Sequence, residues 1–427
     1  MFKRTRAIAA GVALGAGVAL VATRPALSWG WFCNRDLDRS VEYVRETLQL
    51  VNENYVDPVE SSYERLTRSA LHGMVETLDP HSEFLESRDY REVEEEMSGK
   101  FGGIGIQVEM RKGRVVVIAP IAGTPGERAG ILRGDEIVQV NGATVEKGVT
   151  MAEVVERLRG PPRTKVAVGL YRPSTNATID LTLTREIIKV DSVRDSRVLP
   201  GRLGYLQLVE FSERSSDEFG HALERLLKEG IDSLILDLRN NPGGLLDAAV
   251  EVAEPFFRKG ELIVYTQGRK PTEREEFRAA GGSNPVQLPI AVLINAGSAS
   301  AAEIVAGALK DTNRAVIVGE RSFGKGSVQS IFKLKNGEGL RLTTARYYTP
   351  SGVNIHEKGI EPHVEVVMTP EEDNKLRLQR ARADLADPNE FHERFDFLPI
   401  EDRQLQTAID VLKGVNALES GRTIGAP

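Results

Sequence analysis

The stretch Pro289-Ile290-Ala291-Val292-Leu293-Ile294-Asn295-Ala296-Gly297-Ser298-Ala299-Ser300-Ala301-Ala302-Glu303-Ile304 decides the fold. Its first seven residues hold an apolar run short enough for a buried strand, and residues 301–309 form a good helix. The chain must turn between them, so a strand passes directly into a helix with Ser300 at its first turn. A hydroxyl there, and any oxyanion formed on it, would meet free N–H groups and the positive end of the helix dipole. Ser298 or Ser300 could equally serve as a plain helix N-cap.

Outward from this unit the alternation continues. Strand-like runs cover 203–211, 233–238, 262–265 and 315–318, and helical patterns cover 217–229 and 246–257. Strands alternating with helices imply an α/β layer with a largely parallel sheet.

A lysine follows Ser300 by 25 positions, in Gly319-Glu320-Arg321-Ser322-Phe323-Gly324-Lys325-Gly326-Ser327. This segment nearly matches a phosphate-binding P-loop, but Gly326 occupies the place of the Ser or Thr that must follow the lysine. Residues 327–334 then alternate like a strand rather than opening a helix. The remaining chemistry is a serine activated by a neutral lysine. Burial lowers a lysine pKa, and Phe323 and Val328 are bulky neighbours that would contribute. Gln329, four residues on, would hold the amine in line. A solvated loop lysine is the bland alternative.

Upstream, residues 100–187 read differently. Gly102-Gly103-Ile104-Gly105-Ile106 opens an alternating strand, a Lys112-Gly113 turn and second strand follow, and a helix near 151–159 ends at Pro161-Pro162. Strands near 166–171 and 177–184 close the unit. It resembles a PDZ domain along its whole length. Glycines let successive backbone N–H groups converge on one carboxylate, and the strand that follows can accept an extended peptide. The resemblance implies the N–H groups of Ile104, Gly105 and Ile106 as the donors.

Gly297–Ile304, Gly324–Gln329 and this upstream unit together resemble the carboxyl-terminal-processing (tail-specific) serine protease family. Asp237-Leu238-Arg239-Asn240-Asn241-Pro242-Gly243-Gly244, Leu78-Asp79-Pro80-His81-Ser82 and Thr349-Pro350-Ser351-Gly352 match it too. Gly359-Ile360-Glu361-Pro362 departs only in ending on His363. The resemblance implies Ser300 as nucleophile, Lys325 as general base and Gln329 as its orienting partner. It implies an oxyanion hole made by the N–H of Ala301 and that of Gly243 or Gly244. The substrates would be protein C-terminal tails ending in apolar residues, bound by the PDZ unit and cut through an acyl-enzyme.

The expected architecture is multidomain α/β: a helical region at 36–98, an inserted PDZ-like domain at 100–187, a crotonase-like α/β protease core at 188–370 and a charged helical tail at 371–427. The 36–98 block suggests no chemistry by itself. It and the C-terminal tail leave room for a homo-oligomer or an adaptor protein.

The formal net charge is -7, and no basic block interleaved with aromatics appears beyond the N-terminus, which argues against a nucleic-acid partner. No metal-ligand spacing appears, so neither metal nor cofactor is expected, and none of the six histidines has a setting like that of Lys325. Lys3, Arg4 and Arg6 precede an uncharged apolar run at 7–22, with Ala26 and Ser28 framing a cut before Trp29. Residues 1–28 are therefore expected to be a signal peptide or an uncleaved anchor. Either form exports the protein to the periplasm or another extracytoplasmic space, with membrane contact only through that segment. Cys33 is the only cysteine, so burial alone must hold the core. Two alternatives stay open: a silent PDZ scaffold that only binds tails, and a crotonase-like hydrolase acting on thioesters.

Overall fold

The computed structural model describes residues 35–111, 113–121, 123–145, 148–281, 284–381 and 387–424. The expected signal segment and Cys33 lie outside them. No helix among the described residues is long and apolar enough to cross a membrane.

Contacts separate the chain after Thr77. Before that point lie helices α1 (Arg35–Asn54) and α2 (Tyr63–Glu76), with the Asn54–Pro58 breaker between them. Residues 78–98, which read as more of this helical block, group instead with the rest of the chain. They form strand β1 (Glu83–Leu85) and helix α3 (Ser87–Ser98). A three-residue strand is too short to display a period, so pairing partners far along the chain define it.

The glycine-rich module runs β2 (Lys100–Gly103), β3 (Ile106–Arg111), β4 (Arg114–Pro120), α4 (Pro125–Arg128), β5 (Glu136–Val140) and β6 (Ala143–Thr144). Helix α5 (Met151–Leu158) and strands β7 (Lys165–Arg172), β8 (Ala177–Thr184) and β9 (Glu186–Lys189) complete it. Its sheet order is β3-β4-β5-β7-β8, which leaves one side of β3 open. Thr150 and Glu153 form a capping box at the start of α5, fixing where that helix begins. Val115, Val117, Val154, Val168 and Leu170 fill a core of its own. The pairing of β2 with β9 brings the two ends of the module side by side, as an insertion requires.

The larger layer contains β10 (Val193–Leu199), β11 (Leu203–Leu208), α6 (Ser215–Lys228), β12 (Ser233–Asp237), α7 (Leu246–Ala253), β13 (Leu262–Gly268) and β14 (Arg274–Arg278). It continues with β15 (Ile290–Ile294), α8 (Ala301–Asp311), β16 (Ala315–Gly319), β17 (Ser327–Lys333), β18 (Gly339–Tyr348) and β19 (Val364–Glu365). The main sheet has order β10-β11-β12-β15-β16-β19 and is parallel except at its β10–β11 edge. Strands β12 and β15 are buried at every residue, as central parallel strands covered on both faces must be. An antiparallel sheet, β1-β18-β13-β14 with β17 on β18, stands beside it.

Helices α9 (Pro370–Ala381), α10 (Pro388–Phe395) and α11 (Arg403–Ile424) form the charged tail. The tail is a structural layer. Ala408 and Leu412 of α11 are fully buried against Tyr205, Ile235 and Leu293, closing the face of the main sheet opposite α7 and α8.

Candidate active site

Strand β15 ends at Ile294, and the chain reaches α8 through a tight turn. Ser298 is fully spent in that turn: its hydroxyl donates to the carbonyl of Leu238 at 2.8 Å and accepts the N–H of Asn295 at 3.0 Å. Ser300 has φ 53° and ψ −115°, the left-handed side of backbone space that a side chain normally avoids. Such strain persists only where the surroundings hold it. The Ser300 N–H donates to Oε2 of Glu303 at 2.8 Å.

Glu303 is completely buried, and its carboxylate takes four donors. Oε1 accepts the Ser322 hydroxyl at 2.5 Å and the Gly324 N–H at 2.7 Å, while Oε2 accepts Ser300 and the Lys325 N–H at 2.9 Å. Burial pushes its pKa up, against the pull of those donors. In sequence Glu303 looks like an ordinary first-turn acid. Its partners at 322–325 are too distant in the chain for any local pattern to reveal.

Lys325 is partly buried, and burial pulls its pKa below the ordinary lysine value, with the charge of Arg341 adding to the effect. Glu96 and Glu303 oppose the shift. Phe323 does not supply the burial expected of it, because its side chain is 63% exposed. Gly326 is required for a different reason than loop flexibility: a Cβ there would sit 2.1 Å from the backbone nitrogen of His356. Among the described residues no hydrogen bond joins Lys325 Nζ to Ser300. The Ser300 hydroxyl instead neighbours the phenol of Tyr347, which burial pushes up to about 12.

Gln329 lies on β17, but its amide nitrogen donates to Ser327 Oγ at 3.1 Å and Thr343 Oγ1 at 3.0 Å, not toward Lys325. Thr343 is in turn held by the 78–82 turn. Ser82 Oγ accepts its N–H at 3.1 Å, and Asp79 accepts the Ser82 hydroxyl at 2.8 Å. The segment that suggests no chemistry on its own thus buttresses the candidate site. His81 of the same turn feels the charge of Lys325, after burial, in a pKa shifted down.

The two glycines of 243–244 play unequal parts. Gly243 packs onto the Ser300 turn: a Cβ on it would lie 2.7 Å from Ser300 Cβ and 2.9 Å from Ala301 N. Its N–H, however, donates to Asn241 Oδ1 at 2.9 Å. Gly244 passes so close to Phe211 that a Cβ would meet the carbonyl oxygen at 2.0 Å, and its φ is 141°. Neither its N–H nor that of Ala301 has an acceptor among the described residues. The loop is anchored from below by Arg239, fully buried between Asp237 (2.6 Å) and Asp402 (2.7 Å).

In the glycine-rich module Gly105 has φ 71°, and a Cβ on it would strike Thr124 at 2.3 Å. The Thr124 hydroxyl and the Ile121 N–H both bond the Gly105 carbonyl, turning that oxygen inward. The N–H groups of Ile104 and Gly105 have no acceptor among the described residues, and Ile106 starts the open-edged strand. The three line a groove of about 800 Å³ together with residues of β3 and α5. No group of three or more potential metal ligands occurs among the described residues.

Residues 202–366 match the model of peptidase family S41, and residues 102–183 match a PDZ domain. The carboxy-terminal-processing protease of Bartonella bacilliformis is 42% identical over 307 residues, 71% of this chain and 70% of that protein. The carboxyl-terminal-processing protease of Synechocystis is 37% identical over 393 residues, covering 87% and 90%. The solved photosystem II D1 C-terminal processing protease is 33% identical, covers 76% of this chain and 92% of its own, and superposes with a TM-score of 0.44.

Proposed function

Because the chain belongs to the carboxyl-terminal-processing serine proteases of peptidase family S41, we propose that Ser300 and Lys325 carry out its peptide-bond hydrolysis. The PDZ domain takes the C-terminal tail of a protein substrate, its carboxylate on the N–H groups of Ile104, Gly105 and Ile106. Ser300 Oγ attacks a peptide carbonyl while Lys325 Nζ takes the hydroxyl proton. The oxyanion is met by the N–H of Ala301 and one from the Gly243–Gly244 turn. Lys325 passes its proton to the leaving amine, and water then hydrolyses the acyl group from Ser300. Gln329 orients Lys325 once its amide leaves Thr343. The core is crotonase-like, and the basic start with its apolar run supports export.

One observation carries this reading: Glu303 holds the backbones of Ser300 and Lys325 on a single carboxylate oxygen, so the two residues belong to one rigid unit. A slowly hydrolysed ester tests it. The acyl mass is expected on Ser300 in the wild-type protein and absent from Ser300→Ala, while Lys325→Ala loses peptide cleavage. Equal cleavage by Lys325→Ala and wild type would overturn the mechanism. Comparison of exported-protein C-termini from cells carrying wild-type or Ser300→Ala protein tests the processing role and the compartment together.

A further inference from the structure

The groove that receives the tail is unusually cationic for a protein whose formal charge is -7. Four arginines line it, Arg133, Arg159, Arg194 and Arg380, and none of its lining residues is a carboxylate. Two of the four arise outside the PDZ domain, Arg194 from β10 and Arg380 from α9. Part of the charge is already answered: Arg380 pairs with Asp402 at 3.1 Å and Arg133 lies 3.8 Å from Glu390. Glu109 on β3 is the nearby acid along the open strand, and it is taken up by Arg394. Arg159 and Arg194 are different. Both are exposed and neither forms an ion pair among the described residues, although Glu210 stands near enough to Arg194 for that charge to pull down against the rise that burial gives the Glu210 pKa. The Arg159 guanidinium carbon sits over the Phe101 ring, 4.3 Å from its centre, a contact that helps hold the guanidinium in the groove.

An extended tail along β3 advances about 3.4 Å per residue from the carboxylate loop. Its last side chain meets the apolar wall of Ile106 and Leu158. The side chains just upstream pass between the PDZ domain and the core, where the unpaired guanidiniums stand. We infer that this groove selects tails that carry acidic side chains immediately before an apolar C-terminal residue, with Arg159 and Arg194 as the discriminating groups. This rests on tail capture by the PDZ domain and adds the upstream charge as a second determinant of substrate choice. Charge-assisted bonds from arginine to carboxylate supply the selectivity, and their partial exposure makes it sensitive to salt.

Fluorescence anisotropy with the full chain carrying Ser300→Ala, which prevents turnover, tests the inference. The probes are short peptides with one shared apolar C-terminal residue and glutamate-, glutamine- or lysine-rich residues upstream, each also made as the C-terminal amide. The glutamate peptide is expected to bind about tenfold more tightly than the glutamine peptide at low salt, the lysine peptide more weakly than either. Arg159→Ser with Arg194→Ser should erase that spread while leaving the glutamine peptide bound as before, which also reports an intact fold. Equal binding of all three peptides, each weakened by amidation, would overturn the acidic preference and leave tail capture standing. Binding unaffected by amidation would remove tail capture itself, and this inference with it.

Discussion

The backbone N–H groups of Ser300 and Lys325 donate to the same oxygen, Oε2 of Glu303, at 2.8 and 2.9 Å. The proposed nucleophile and base are thus registered through their main chains, with no hydrogen bond between their side chains among the described residues. Removing this clamp separates positioning from chemistry. Glu303→Gln keeps the shape but leaves one acceptor oxygen for four donors, and its amide N–H faces two of them. A stability loss of about 2 kcal/mol is expected from the buried donors left unpaired. At a temperature where circular dichroism shows the variant folded, kcat should fall with KM for a tail peptide unchanged. An unchanged kcat would show that the clamp only holds the fold.

The pH profile tests Lys325 as the proposed base. A lysine accepts a proton only when neutral, so kcat/KM should rise as pH rises through the lowered Lys325 pKa and level off above it. Arg341 pushes that pKa down and Glu96 pushes it up. Arg341→Gln removes a positive charge and should move the rising limb to higher pH. Glu96→Gln removes a negative charge and should move it lower. Shifts in the same direction, or none, would mean that another group titrates.

The Gly243–Gly244 turn admits no side chain beside Ser300. In Gly243→Ala the added methyl presses on Ser300 Cβ and crowds the Ala301 N–H. Loss of kcat on the order of a hundredfold is expected, comparable to losing an oxyanion donor, with tail-peptide affinity retained. Gly244→Ala drives its methyl into the Phe211 carbonyl, so its first effect should be a lower Tm. Wild-type acylation of Ser300 in Gly243→Ala would place the oxyanion elsewhere.

Much of this design is written locally in the chain. The apolar run of β15, the turn and the start of α8 are contiguous, so strand, Ser300 turn and helix follow from residues 289–309 alone. Gly326 and the alternating strand after it rule out a phosphate loop, and the glycines near 103 mark the turn that leads into the open-edged strand β3. What stays hidden depends on partners far apart in sequence. Glu303 reads as a capping acid until Ser322, Gly324 and Lys325 fold onto it. Asp79 and Ser82 sit in a block that suggests no chemistry by itself, yet they brace Thr343 and through it Gln329. Asp402 sits in the charged helical tail, and only the packing of α11 on the sheet buries it beside Arg239. Phe323 shows the opposite error: a bulky apolar side chain near the base that faces solvent.

The buried pair of Asp237 and Arg239, beneath the Gly243–Gly244 turn, has its own test. Burial pushes the Asp237 carboxyl up, but the Arg239 guanidinium overcomes this and holds it at about 2. Tyr205 adds a hydrogen bond at 2.7 Å, and Asp402 joins Arg239 from the C-terminal tail. A carboxyl whose pKa is lower folded than unfolded stabilises the fold above its unfolded value. For Asp237 that contribution, about 2–3 kcal/mol, should disappear as pH falls from about 4 to about 2. Arg239→Met leaves Asp237 buried without its countercharge and should cost about 3–5 kcal/mol at neutral pH, seen as a lower urea midpoint. Adding Asp237→Asn removes the stranded charge, so the double variant should regain part of that loss and lose the acid-dependent step. A double variant less stable than Arg239→Met alone would show that Asp237 draws its stabilisation from Tyr205 rather than from the arginine.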